Sequence, residues 1–353
     1  MRSVAMALGL MLVWCALLAM PAPAHAADPC PLLRSQTTSA ETGVRIAAIA
    51  CEEHLHWHRP FIDERGRVAG SVVREAETGL LTNGEQAWRR VATYWRDSGL
   101  LPAAAGRPGA MDCAYAPYAT TPSPACRAFV VDTPWSAAFV SWVMRRAALP
   151  GFNAAASHVA YVRDAYRSPE TSAYRVAAPE SAPVRPGDLL CYVRAANRVF
   201  GFQGLAQLLA GGEEGLGMHC DVIVGTDPGQ GLAWLVGGNV FDAVTSRTLP
   251  LSAGGHLQGL SMRQSDDPAC SPEWPSACDA NRQDWTVLLQ LQPEQTLAGL
   301  TPAPAWPPLQ ETAPTGAPMS APGPGAVPTA PRPTQMCCIE CVAGDGLPRC
   351  PVR

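Results

Sequence analysis

Apolar positions recur at three- and four-residue steps through the first half of the chain and alternate in short runs through the second. The first rhythm predicts helices, the second a sheet. Residues 40–101 read as helical. An apolar stripe runs from Val44 to Trp57, and another from Gly84 to Leu101 puts Trp88, Val91 and Trp95 on one side. Residues 102–127 are rich in Pro, Ala and Gly and read as a loop pinned by cysteines. Asp132 to Leu149 then reads D-T-P-W-S-A-A-F-V-S-W-V-M-R-R-A-A-L, with Asp132 and Thr133 as cap candidates and Pro134 suited to a first turn. Trp135, Phe139, Trp142 and Val143 give this helix one face for burial, with Ser136 in its first turn. Ser157 to Tyr166 opens one more helical stretch.

After Pro179 the period changes. Arg185-Pro186-Gly187-Asp188 is a turn, and Leu189 to Val193 a short strand. Residues 197–217, with glycines at both ends, predict a mobile flap holding a short helix. Strands follow over His219–Gly225, Leu232–Val236 and Ala243–Leu249, and Trp285–Leu291 is expected to close the sheet. Turns without intervening helices argue for antiparallel pairing. The expected class is therefore α+β, with N-terminal helices packed on a small antiparallel sheet.

Composition adds boundaries. Arg2, an apolar run from Val4 to Met20 and Ala24-His25-Ala26 form the pattern of a secretory signal peptide over residues 1–26. The mature chain is expected to be periplasmic or secreted, with no transmembrane segment after cleavage. Loss of Cys15 with the signal leaves an even number of the 13 cysteines, and disulfides are their default reading in an oxidising compartment. Cys113 with Cys126 and Cys270 with Cys278 each flank a short proline-containing loop, and Cys191 is a partner for Cys220 on the adjacent strand. From Pro293 to Gln335 the chain is dominated by Pro, Ala, Gly and Thr, the composition of a disordered linker. The Cys-rich tail, 336–353, holds Cys337, Cys338, Cys341 and Cys350, expected to form disulfides with itself or with another chain. Net charge is −4 and the isoelectric point about 6.0, which gives no basis for nucleic-acid binding by bulk charge.

Candidate chemistry centres on Ser136. A residue in a helix's first turn lies among unbonded N–H groups and the positive end of the helix dipole, which favour a developing oxyanion. The backbone N–H groups of Ser136 and Ala137 are the oxyanion candidates. Taken alone, Ser136 also fits a small packing or capping residue. His219 begins one strand and Asn239 leaves the next, so the pair can meet at one end of an antiparallel hairpin. A helix across that end brings Ser136 to them as nucleophile, His219 as base and Asn239 as orienter. Asp221 shares the strand face of His219 and can add to it, as can Asp132 or Asp188. Cys220 points the other way. His158 is a second candidate histidine or a packed one, and Trp135 a neighbour of the nucleophile. His54 and His58 would share a helix face and offer two ligands for zinc or copper, against a reading as a solvated helix edge. No metal site and no cofactor are expected.

These fragments resemble the CHAP branch of the papain-like cell-wall hydrolases, related to the NlpC-type endopeptidases. That family's helix commonly reads P-W-C-A-A-F-V-x-W, matched from Pro134 to Trp142 except at Ser136. Its P-G-D turn matches Pro186-Gly187-Asp188, its strand-initial histidine His219, and its G-G-N motif Gly237-Gly238-Asn239. The span from about residue 44 to 291 also resembles the bacterial family called domain of unknown function 2272, with serine at the nucleophile position. The resemblance implies a papain-like core over 128–292, preceded by a helical region and loop over 27–127. It further implies an exported amide-bond hydrolase whose partner is peptidoglycan or a cell-wall peptide. Serine cannot form the stable ion pair with histidine that a cysteine does. The alternative is an inactive module that binds cell-wall peptides without turnover.

Overall fold

The computed structural model describes residues 28–304, apart from 76–78, 117, 120, 196, 213 and 214. The expected signal peptide, residues 305–335 of the proline-rich linker and the Cys-rich tail lie outside the described residues. The first residues of that linker are not disordered as expected but form a short helix, Glu294–Leu297, with Leu297 buried and Thr301 O accepting the Gly151 N–H. The described residues all fall within one compact unit.

Six helices of nine residues or more are described: α1 (Thr42–His56), α2 (Ala87–Asp97), α3 (Pro124–Asp132), α4 (Ser136–Arg146), α5 (His158–Arg167) and α6 (Gly201–Ala210). The apolar rhythm locates five of them. The exception is α3, whose first four residues fall in the region expected to be loop. Its start signal is nonetheless present: Ser123 Oγ accepts the Cys126 N–H at 3.3 Å, with Pro124 in the first turn.

Eight strands form one sheet: β1 (Phe61–Ile62), β2 (Val68–Ala69), β3 (Tyr174–Ala177), β4 (Leu189–Val193), β5 (Met218–Asp227), β6 (Leu232–Val240), β7 (Ala243–Pro250) and β8 (Asp284–Leu291). Their order is β2-β1-β7-β6-β5-β4-β8-β3. Pairing is antiparallel throughout except for β1 on β7. The α+β class thus stands. The strand expected to close the sheet, β8, instead lies inside it, between β4 and β3. The closing strand, β3, is four residues with one fully buried position, too short to show a period.

Both faces of the sheet are covered, which explains why its central strands are apolar on both sides. On one face Cys191, Cys220, Val222, Val236 and Val287 join the helices in the main core, around Trp57, Trp95, Trp135 and Phe139. On the other, Leu190, Ile223, Leu235 and Leu288 pack under Leu251, Leu257 and Leu260. Helix α4 is the central piece. Nine of its residues are buried, and it touches α1, α2, β5 and β6.

Disulfides join Cys30 to Cys51, Cys113 to Cys126, Cys191 to Cys220 and Cys270 to Cys278. Cys191 and Cys220 stand directly opposite each other on β4 and β5. No described helix is long and apolar enough to cross a membrane.

Candidate active site

Ser136 opens α4. The cap position belongs to Trp135, which makes no side-chain capping bond, while Asp132 closes α3 instead of capping α4. The first intrahelical bond is made by Phe139 N–H to Trp135 O at 2.9 Å. The N–H groups of Ser136, Ala137 and Ala138 precede it, so the helix start keeps donors for an oxygen that gains charge.

The histidine that meets Ser136 is His158. Its Nε2 lies 2.7 Å from Ser136 Oγ. His158 is the first residue of α5, so two helix starts converge here. Its Nδ1 bonds the hydroxyl of Tyr161, one turn along the same helix. With Nε2 accepting from Ser136, Nδ1 carries the proton and donates it to Tyr161 Oη. Burial, reinforced by the neighbouring His219 imidazole and the Arg194 guanidinium, holds His158 well below the ordinary imidazole range. It is therefore neutral, the state a general base requires.

His219 belongs to a second, adjoining group. Its ring centre is 5.3 Å from that of His158. Its Nε2 lies 2.7 Å from Asp221 Oδ1, and Arg194 Nη2 lies 3.1 Å from its Nδ1. An arginine can only donate, so Nδ1 accepts and the imidazole proton resides on Nε2, directed at Asp221. Asp221 also receives Arg247 Nε at 3.1 Å, and Arg247 is held by the Ala280 carbonyl and by Asn281. Burial opposes ionisation of Asp221, but His219 and Arg247 outweigh it and keep its carboxyl below the usual range. Burial lowers His219 despite Asp221, and Arg194 and Arg247 lower it further. Gly237 on β6 leaves room for the pair, since a Cβ there would collide with Asp221 and come within 2.9 Å of His219 Nε2.

The arrangement differs from the triad expected on the sequence. Both nitrogens of His219 are engaged, leaving none for Ser136. Asn239, half-buried in the bulge between Gly237 and Val240 with φ +56°, makes no side-chain hydrogen bond among the described residues. Asp221 orients His219 in its place. Ser136, His158, His219 and Asp221 are all buried, at 4, 3, 0 and 1% exposure.

The family model described as an uncharacterized protein conserved in bacteria (DUF2272) matches residues 82–291, more than half of the chain. The chain belongs to this family. The DUF2272 span contains Ser136, His158, Tyr161, Arg194, His219, Asp221, Asn239 and Arg247, so both groups lie within the shared region. It excludes α1 and Glu75, which support the site from outside. No curated protein and no solved structure matches the chain.

The remaining sequence candidates have local duties around this DUF2272 core. Trp135 is fully buried, stacked on Trp57 at 5.6 Å, and its indole N–H donates to Glu75. Burial pushes the Glu75 carboxyl up to about 7, with the indole bond opposing and the nearby Asp242 adding to the rise. Asp188 is buried in the Pro-Gly-Asp turn and accepts the N–H groups of Arg185 and Leu291, both within 2.9 Å; burial raises it to about 6. Asp132 is exposed. His54 and His58 do not share a helix face, because α1 ends at His56 and His58 has φ +64°. Their Nε2 atoms bond the Pro60 and Leu80 carbonyls at 2.9 and 2.8 Å. Among the described residues no cluster of three His, Cys, Asp or Glu could hold a metal ion.

Sequence reasoning missed Tyr161, Arg194, Arg247 and Glu75. The spacing of His158 and Tyr161 carried a signal, because residues three apart share a helix face. The other three reach the site from distant segments and left none.

Proposed function

We propose that this protein is an exported serine hydrolase of amide bonds, acting on peptidoglycan stem peptides or related peptides, with a papain-like placement of its nucleophile. The observation that carries this reading is Ser136 Oγ at 2.7 Å from His158 Nε2, at an uncapped helix start. Ser136 attacks the carbonyl carbon while His158 takes its proton, and the N–H groups of Ser136 and Ala137 receive the resulting oxyanion. His158 then gives the proton to the leaving amine as the C–N bond breaks, leaving an acyl-serine; a water deprotonated by His158 cleaves that ester, releasing the acid and returning the proton to Ser136 Oγ. Tyr161 fixes the imidazole but supplies no charge. The charge that favours the imidazolium comes from Asp221, beyond His219. Cell-wall substrate and export are carried over from the CHAP-like motifs and the signal-like N-terminus; four disulfides fit an oxidising compartment.

One observation favours the second reading, a peptide-binding module without turnover: Ser136 is only 4% exposed. Covalent labelling by a fluorophosphonate separates the two. The wild-type protein is expected to label and to hydrolyse cell-wall peptides, Ser136→Ala to do neither, and His158→Ala to lose roughly 10²–10⁴-fold in rate. An unlabelled, inactive wild type assigns the binding role. Full activity in His158→Ala with loss in His219→Ala would return the base to His219.

A further inference from the structure

The loop leaving β4 places one positive charge, Arg194, beside the imidazoles. Arg194 follows β4 directly; it is exposed, and its guanidinium lies 5.8 Å from the centre of the Tyr192 ring. A single donor, Nη2, reaches His219. Arg198 lies 4.1 Å over the Phe200 ring. Arg263 arrives from a distant segment and donates from Nη2 to the carbonyls of Ala195 and Arg198, the second at 2.8 Å. Its Nε is buried without a partner among the described residues. None of the three arginines forms an ion pair among the described residues. Carboxylates on neighbouring strands are already engaged. Asp221 serves His219 and Arg247, and Asp284 accepts the N–H groups of Phe200 and Gly201 at 2.7 and 2.9 Å.

A structural arginine commonly spends its planar fork on a carboxylate or on several carbonyls, as Arg247 and Arg263 do. Arg194 spends one donor on the accepting nitrogen of a neutral imidazole and presents the rest of the fork to solvent. Building on the hydrolase reading, we propose that Arg194 is the receptor for a substrate carboxylate. The preferred substrate is then an acidic peptide, with its carboxylate near the bond offered to Ser136. The contact also links recognition to chemistry. The charge of Arg194 opposes protonation of both His219 and His158. A bound carboxylate neutralises that charge, so the imidazoles become stronger bases when the correct substrate is in place.

The test uses the full chain carrying Ser136→Ala, so that binding is read without turnover. N-acetyl-dialanine and its C-terminal amide are titrated while the imidazole nitrogen resonances of His158 and His219 are followed. The acid is expected to bind at least tenfold more tightly than the amide and to move the His219 titration to higher pH. Adding Arg194→Gln should remove the preference and the shift, and Arg194→Lys should retain part of both. Equal binding of acid and amide, or an undiminished preference in Arg194→Gln, overturns the proposal. Displacement of the peptide by inorganic phosphate at equal concentration overturns it in favour of a phosphoryl ligand. Preference for the acid in a protein that never hydrolyses peptides refutes the hydrolase reading alone. Hydrolysis without the preference refutes the carboxylate receptor alone.

Discussion

At the scale of single residues, the site is decided by which hydrogen-bond partners are already taken. His219 has both nitrogens occupied, whereas His158 offers Nε2 to Ser136. Chain order cannot reveal this, because each histidine sits at the start of its own element. Glu75 shows the same dependence on surroundings. It is an ordinary glutamate in the sequence, yet it meets a buried indole and is raised to about 7. A raised carboxyl binds more protons in the folded than in the unfolded chain. Its stabilising effect is therefore complete below the unfolded value, 4.5, and is lost as pH rises through 7. Glu75→Gln keeps an acceptor for Trp135 without the charge. Urea denaturation should show this variant more stable than wild type at pH 8, by about 1–3 kcal/mol, with the gap closing at pH 5. His158 has the opposite sign. Its lowered value makes the unfolded chain bind more protons below 6.5, so this group costs stability on acidification.

At the scale of elements, periodicity found the helix and the strands of the site but not how closely they approach. Helix α4 packs on β6 because Gly238 has no side chain; a Cβ there would lie 2.5 Å from Cβ and Cγ of Phe139. Gly238→Ala is therefore expected to force α4 and β6 apart. Overpacking of this kind costs about 1–3 kcal/mol, measurable as a lower denaturation midpoint, and should also reduce labelling of Ser136. Alternation along β5 did place His219 and Asp221 on one face and Cys220 on the other, where it bonds Cys191. Alternation is a property of the backbone and survives in any sheet. The bulge at Asn239 is not periodic, and it breaks the register from which the expected approach of Asn239 to His219 was drawn.

At the scale of the whole molecule, the described residues are tied together from near one end to near the other. Helix α1 has no side-chain cap of its own; Glu294, 252 residues from Thr42, accepts the Thr42 N–H at 2.6 Å and its hydroxyl at 2.9 Å. A carboxylate at a helix start satisfies free donors and complements the dipole. Glu294→Ala is expected to lower stability by about 1 kcal/mol in thermal or chemical unfolding, and truncation before Pro293 by at least as much. The helices and the sheet also share one main core, so the helical region before Ser136 supports the site. Trp57 of the segment after α1 stacks on Trp135, and Tyr94 of α2 lies 5.6 Å from the same ring.

Among the described residues, the sequence by itself determined the α+β class, five of the six longer helices, the main strands, three of the four disulfides and the position of Ser136 at a helix start. These follow from local properties: apolar period, turn chemistry and cysteine spacing. Only the tertiary structure decided that His158 faces Ser136, that Asp221 and Arg247 complete the His219 group, that Arg194 stands beside it, and that β8 is internal. Those outcomes depend on which distant segments compete for the same buried donors and acceptors. Such competition has no period and leaves no mark on neighbouring residues. For Ser136 the sequence supplied the position, and the fold supplied the histidine beside it.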